Sequence, residues 1–449
     1  MVLLLDDTAA FGPDDAKTYR EHAFRVPAET KALRLEFRYD RGGDLPHNLL
    51  TLSLFDPAGF RGAAHRFAPR QVVELDPARA TPGFLAGELP PGPWTAEVAL
   101  HGVIAGGGYS LKAEARPPVP AVGPPSRSGA AAARPGPLRW LRGELHLHSD
   151  HSDGRWSVEE MAAHARGRGL DFLFLTDHNT VSGVDALREA VGDGMAVLPG
   201  TELTTFRGHA LALGPGRWVD WRTGRRGRTI DAVARDVRDA GGLFVVAHPD
   251  APPDEVCTGC RWTHADFDPA LADAVEVWGG LWDGPEERNE GCLALWRAWL
   301  NAGHRLAATG ATDAHRPEDW VGPVPLTYVE AESASLPAIL AGLRAGRTYV
   351  SSGPGLSLEG RRTDGSRAGL GETLVPRRGD GLVARCSAAP RAELRLVAQG
   401  QTLERARVEG EAGLEAAPGP GHRWACAELW REDGAALLAV TSPIYLRGE

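Results

Sequence analysis

Apolar and polar residues alternate with period two along 32–39 (ALRLEFRY) and 49–55 (LLTLSLF). That pattern belongs to strands with one face in a core. Shorter runs at 71–75, 94–100 and 109–113 continue it. Turn-forming pieces such as DPAG at 56–59 and LPPGP at 89–93 separate them. Many short strands divided by such turns predict a β-sandwich-like domain over 1–116. Residues 117–137 are mostly Pro, Ala, Gly and Ser without apolar periodicity, and read as a linker.

From 138 to 355 the pattern changes. Short apolar runs without strict alternation, such as FLFL at 172–175 and LFVVA at 243–247, suit strands buried on both faces. Seven strands are predicted, at 142–147, 171–176, 195–199, 209–213, 243–247, 273–278 and 306–310. Helical periodicity appears at 230–240, 289–302 and 336–345, and SVEE at 157–160 is a capping box that starts a further helix. Strand–helix alternation at this density predicts a closed, distorted (β/α)7 barrel. After GPG at 353–355, runs at 382–387, 393–398, 424–430, 436–441 and 441–446 predict a second small β-domain, also sandwich-like, over 356–449.

Composition narrows the partners. The 449 residues carry 24% charged and 43% apolar residues and a formal net charge of −10. A nucleic-acid polymer is not favoured, because backbone phosphates ask for a concentrated basic face. The basic run at 217–228 (RWVDWRTGRRGR) is short and glycine-containing. It reads as a solvated loop, or as a lip drawing in an anionic substrate. No stretch reaches the length of a membrane span, and MVLLLDD at the start is too short for a signal peptide. Five cysteines, an odd and sparse set, do not form a disulfide framework. A cytoplasmic protein is expected.

Candidate chemistry gathers at the strand ends. In HLHSDHSDG at 146–154, His146 and His148 are two apart and share one side of an extended segment, so both can address one metal ion. The following turn can return Asp153 to the same cavity. His178 follows the second strand, Glu202 the third and His248 the fifth; Asp313 and His315 follow the seventh. His209 opens the fourth strand, an irregularity in an otherwise consistent placement at the rim where barrel enzymes build active sites. These are ligand types for zinc, manganese or iron. Nine candidates suffice for two or three divalent ions around a bridging carboxylate.

The ordered motifs HLHSDHSDG, TDHN at 176–179, GTE at 200–202, GH at 208–209, AHP at 247–249 and TDAH at 312–315 resemble the PHP (polymerase and histidinol phosphatase) superfamily. EVW at 276–278 and GRTYVSSGP at 346–354 look more closely like its CehA/McbA-type metallohydrolase branch. The resemblance implies a PHP-type barrel and a hydrolase. It implies one ion on His146, His148, Glu202 and Asp313, a second on Glu202, His209 and His248, and a third on Asp153, His178 and His315. Asp153 stands where some members carry histidine. The implied reaction activates water against a small, anionic phosphate ester, with Glu202 bridging two ions. Carboxyl-ester, carbamate or amide hydrolysis is the alternative, and a binding protein with a vestigial barrel a more distant one.

Other positions carry two readings each. Asp177 orients a ligand from behind or caps a turn; His151 acts in acid–base transfer or lies in a solvated loop. Trp156, Trp278, Trp282 and Trp320 form an aromatic wall or pack internally. Asn179, Arg316 and Arg347 are candidate substrate contacts, with Arg142 and Arg305 less specific. Cys257 and Cys260 with His264 resemble half a zinc site, or belong to an insertion that lids the active site.

Overall fold

A computed structural model of the chain describes residues 1–43, 48–117, 136–252, 259–284 and 288–447. The predicted linker therefore falls almost wholly outside the described residues. The N-terminal part is two four-stranded antiparallel sheets. One runs in the order Val2–Phe11, Gly107–Arg116, Ala32–Tyr39, Arg70–Leu75. The other runs Thr18–Val26, Gly92–Val103, Asn48–Asp56, Gly59–Ala64. Alternate residues of the inner strands, such as Leu33, Leu35 and Phe37 against Leu50, Leu52 and Leu54, fill the space between the sheets. Val2–Phe11 and Thr18–Val26 escaped the sequence pattern because both lie at sheet edges with mostly solvated side chains.

All seven expected barrel strands are present, and the sheet closes. The distortion has a specific cause. Gly208–Leu213 pairs antiparallel with both Ala196–Thr205 and Leu243–Val246, while the other neighbours pair parallel up to Ala307–Ala311. A reversed strand begins where its parallel neighbours end. His209 therefore sits opposite Thr204, at the same rim as the other candidate ligands. The ring is completed by Leu326–Ala331, antiparallel to Arg139–Glu144. Ser157 caps helix Val158–Gly167 through the expected box with Glu160.

The C-terminal β-region is continuous with the barrel rather than merely packed on it. Thr348–Ser351 pairs with Leu437–Thr441, so hydrogen bonding passes from one into the other. Its largest feature is an antiparallel hairpin of Gly381–Ala398 and Gln401–Ala416. The second of these strands alternates small apolar residues packed on the core with polar, mostly exposed ones. Among the described residues no helix is long and apolar enough to cross a membrane.

The N-terminal sandwich is clamped to the barrel at two places. On one side Gly83 accepts a hydrogen bond from Thr180 Oγ1 (2.8 Å) and donates to Ser182 Oγ (3.0 Å). Gly83 has φ +94°, and a Cβ there would lie 2.5 Å from the Ala63 carbonyl oxygen, so only glycine fits. On the other side the basic run supplies the clamp. Buried Arg222 donates to Glu97 (3.0 Å) and Asp220, Arg225 pairs with Glu21 and Glu97, and Phe60 stacks on Trp218 at 5.4 Å. Arg222 and Arg225 of this run are thus neutralised between domains and Arg228 pairs with Asp236, while Arg217 and Arg226 are exposed. Burial pushes the Glu97 carboxyl pKa up, which marks the cost of leaving that group without its arginines. Arg222→Ala is expected to destabilise the fold by about 1–3 kcal/mol, because it leaves the buried Glu97 carboxylate with Arg225 alone. Urea unfolding followed by tryptophan fluorescence measures it; a loss below about 1 kcal/mol would place the pair in the weak surface class.

Candidate metal centre

Glu202 is the hub. It is fully buried on strand Ala196–Thr205, and its two carboxylate oxygens face imidazoles on all sides. Oε1 lies 2.9 Å from His209 Nδ1 and 3.0 Å from His248 Nε2. Oε2 lies 2.8 Å from His178 Nδ1, 3.3 Å from His148 Nε2 and 3.4 Å from His146 Nε2. Asp313 Oδ1 approaches His148 Nε2 at 2.9 Å and His146 Nε2 at 3.3 Å. Asp153 Oδ1 lies 3.4 Å from both His178 Nε2 and His315 Nε2. All nine sequence-nominated ligands thus meet at one rim.

Their ligand atoms form four overlapping groups: His148, Asp153, His178 and His315; His146, Glu202 and His248; His146, His148 and Asp313; and His178, Glu202 and His209. Glu202 belongs to two of these groups, as do His146, His148 and His178. His209 groups with His178 here, whereas the resemblance implied a set with His248.

The donor set can be tested for its fit to cations by asking which buried atoms lack hydrogen bonds. His146 Nε2, both nitrogens of His148, Asp153 Oδ1, Glu202 Oε2 and Asp313 Oδ1 are buried without a hydrogen-bond partner. Orphaned polar atoms are costly singly, and a convergent set of them fits divalent ions. Electrostatics agree. Burial opposes charge on Glu202, yet His178, His209 and His146 hold its carboxyl pKa well below the ordinary range. Burial disfavours the charged forms of His146 and His178, but facing carboxylates raise both well above the usual value. His248 and His315 are raised to about 9 by their carboxylate neighbours against burial. His148, buried beside His178 and His315, is pushed down to about 4.

Residues without a ligand role hold this geometry. Glu276 Oε2 accepts from His146 Nδ1 at 3.0 Å, and its Oε1 accepts from the His248 backbone N–H at 3.3 Å. Buried Glu144 accepts from the backbone N–H groups of His146 (3.1 Å) and Thr312 (3.1 Å) and from Trp320 Nε1 (3.0 Å), tying the first and last barrel strand ends together. Neither role was assigned from sequence, although Glu276 falls inside EVW. The available signal was a carboxylate amid apolar strand residues, which needs a buried partner. Asn179, His248 and Asp313 all adopt positive φ, a conformation that costs about 1–3 kcal/mol per residue and clusters at functional sites.

Glu276→Gln is expected to weaken divalent-ion affinity about 10–100-fold, the usual effect of removing a carboxylate behind a histidine ligand. Competition with a chromogenic chelator measures it; unchanged affinity would show that Glu276 only fills space.

The remaining nominations divide. Asp177 accepts from Ser149 N (2.7 Å), Ser149 Oγ (2.7 Å) and Ser152 Oγ (2.7 Å), so it shapes the turn that carries Asp153. His151 does not line the cavity; its Nδ1 is 2.8 Å from Ser182 Oγ, at the interdomain clamp. That removes the structural basis for an acid–base role. Asn179 is also structural: its Oδ1 accepts from Thr204 N (2.9 Å) and its own N–H donates to the Glu202 carbonyl (2.9 Å). The aromatic wall is not present. Trp156, Trp278, Trp282 and Trp320 are buried, with Trp156 donating to the His148 carbonyl and Trp282 wedged between Trp278 and Trp430. Arg316 does line the cavity and pairs with Asp319. Arg347, Arg142 and Arg305 are occupied elsewhere, on carbonyls of Glu330, Gly169 and Gly371 respectively. Cys257 lies outside the described residues. Cys260 is disulfide-bonded and His264 Nε2 is 2.9 Å from Thr205 Oγ1, which removes the half zinc site.

The cluster opens into a cavity of about 1010 Å³. Sequence reasoning missed one whole wall of it. His65, Arg66, Phe67 and His101 come from the N-terminal sandwich, where nothing dense enough to attract attention was seen. The His65 ring is 4.4 Å from the His178 ring, and burial, with His178 next in effect, holds its pKa well below the ordinary value.

Residues 144–239 match the model of the PHP domain. A Methanocaldococcus jannaschii protein with no assigned function is 26% identical over 149 residues, covering 30% of this chain and 81% of that protein. The phosphoribosyl 1,2-cyclic phosphate 1,2-diphosphodiesterase of Eggerthella lenta is 38% identical over 79 residues, 16% of this chain and 30% of the enzyme. The chain therefore spans under a third of that enzyme's length. A crystal structure of a two-domain Bacteroides vulgatus protein, described as containing a PHP-like metal-dependent phosphoesterase, aligns over 72% of this chain and 100% of its own, with 18% identity and a TM-score of 0.39. Residues 144–239 thus carry a PHP domain, and the clustered His, Asp and Glu side chains are consistent with a PHP-type metal-dependent hydrolase.

Proposed function

We propose that this protein is a metal-dependent phosphoesterase acting on a small anionic ester. The observation that carries the reading is the convergence of buried, hydrogen-bond-deficient ligand atoms around Glu202 at the floor of a cavity that also presents arginines. The partly matching relative from Eggerthella lenta, named for phosphodiester cleavage, supports the substrate class. So do the motifs similar to the CehA/McbA-type branch, to which we assign the chain.

His146, His148, Glu202 and Asp313 would hold one ion; Glu202, His209 and His248 a second; Asp153, His178 and His315 a third. Divalent zinc, manganese or iron bound there would supply Lewis acidity and an acidified water. The protein's own contribution is positional. Glu276 fixes the His146 ring so that Nε2 faces the site, Asp177 sets the turn bearing Asp153, and Glu144 locks the strand ends. Cytoplasmic residence is part of this proposal, with disulfide-bonded Cys260 the observation to set against it.

The test is a panel of p-nitrophenyl phosphate, bis-p-nitrophenyl phosphate, p-nitrophenyl acetate and an aryl carbamate, run with manganese-, zinc- and iron-loaded protein. Phosphate esters should give kcat/KM values about a hundredfold or more above the others, as expected when fixed charge is aimed at phosphoryl oxygens. The reverse order would transfer the assignment to carboxyl-ester, carbamate or amide hydrolysis.

A further inference from the structure

The N-terminal sandwich reaches the metal centre with groups whose hydrogen-bonding capacity is left over. His65 follows strand Gly59–Ala64, is 6% exposed, lines the cavity, and has a buried Nδ1 without a hydrogen-bond partner. Next to it, half-buried Arg66 also lines the cavity. Its Nη2 donates to the Pro82 carbonyl, its buried Nε has no hydrogen-bond partner, and it forms no ion pair among the described residues. The contrast with Arg316, which is paired with Asp319, is direct. Phe67, 45% exposed, stands at the cavity wall beside them.

A surface decoration would not be built this way. A half-buried guanidinium that forms no ion pair carries part of a desolvation cost that an anionic ligand can relieve. The two clamps, Gly83 on Thr180 and Ser182 and Arg222 on Glu97, fix the sandwich relative to the barrel, so these groups are held in place before any ligand arrives.

We infer that the sandwich is part of the active site: Arg66 and His65 bind the phosphoryl group of the substrate from the sandwich wall of the cavity, and Phe67 takes its organic portion. The inference rests on the phosphoesterase reading for the identity of the group bound. It also favours a small ester, since a cavity of about 1010 Å³ has the size of a compact ligand.

The experiment uses the full-length, manganese-loaded protein and its Arg66→Ala, Arg66→Lys, His65→Ala and Phe67→Ala variants. Inorganic phosphate binding is measured by calorimetry, with metal content determined on the same samples and turnover of p-nitrophenyl phosphate followed in parallel. Arg66→Ala should weaken phosphate binding about tenfold or more with metal content unchanged, as expected for loss of a charge-assisted hydrogen bond. Arg66→Lys should recover part of that affinity, because it restores charge without the fork. His65→Ala should weaken phosphate binding by a smaller factor. Phe67→Ala should leave phosphate binding unchanged and raise KM for the aryl ester.

Equal phosphate affinity in the parent, Arg66→Ala and His65→Ala proteins would overturn the inference, as would a metal-loaded parent that binds no phosphate. Loss of metal from Arg66→Ala and Arg66→Lys alike would also overturn it, by showing a structural role. A parent that turns over no phosphate ester, yet loses phosphate affinity on Arg66→Ala, would defeat the phosphoesterase reading and leave the sandwich's place in the site intact.

Discussion

Glu202→Gln should nearly abolish turnover and disrupt metal loading. The substitution keeps the shape of the side chain and removes its charge. Five imidazoles lie within 3.4 Å of the Glu202 oxygens, on His146, His148, His178, His209 and His248. An amide would turn an NH2 group toward nitrogens that need an acceptor or a shared cation. The charge balance of a fully buried cluster then fails, and water cannot compensate. A kcat loss of at least about a hundredfold is expected, corresponding to several kcal/mol of lost transition-state stabilisation. Steady-state kinetics together with metal analysis check this. Normal turnover with a full metal complement would remove Glu202 from the bridging position.

Removing the metals should cost stability as well as activity. The ligand set is preformed in the fold, so ions bind the native state and stabilise it. Each saturated site contributes about 4 kcal/mol when free ion exceeds its dissociation constant a thousandfold. Chelator-treated protein should melt at a clearly lower temperature and show no hydrolysis, and both properties should return on adding manganese, zinc or iron. Loading near neutral pH should also release protons. Carboxylate neighbours raise His248 and His315 to about 9, so these imidazoles are protonated there and must lose the proton to bind metal. Apparent affinity therefore rises as pH increases toward 9. A thermal midpoint unaffected by chelation, with activity retained, would contradict this account of the cluster.

The same physical logic explains what could be read from the sequence. Strand-end motifs placed all nine candidate ligands at one rim, because side chains two apart on extended backbone face one way and barrel strands deliver their ends to one side. The misfit of His209 disappeared only with the pairing: Gly208–Leu213 runs antiparallel, and strand direction is not visible in a six-residue apolar run. The outward-facing edge strand Thr18–Val26 carries little apolar pattern, whereas Gln401–Ala416 has a period-two alternation made mostly of small residues, a weaker signal than Leu, Ile or Phe would give. Trp156 and Trp278 read as wall residues because they lie in rim segments, yet both turn inward to fill the core and donate to carbonyls. His65 and Arg66 were missed for the opposite reason. They lie more than a hundred residues from His178 in the chain, and only the docking of one domain on another brings them to it. Local pattern reports what a strand presents to its own sheet, not what a neighbouring domain presents to it.

The proposed cluster brings residues distant in the chain together to hold several cations at one rim of the barrel. Anomalous diffraction from crystals of manganese-loaded protein, recorded above the metal edge, tests it most directly. The account predicts two or three peaks, each bounded by His146, His148, Asp153, His178, Glu202, His209, His248, Asp313 or His315. A map without peaks among these side chains, or with ions bound only elsewhere on the protein, would contradict it.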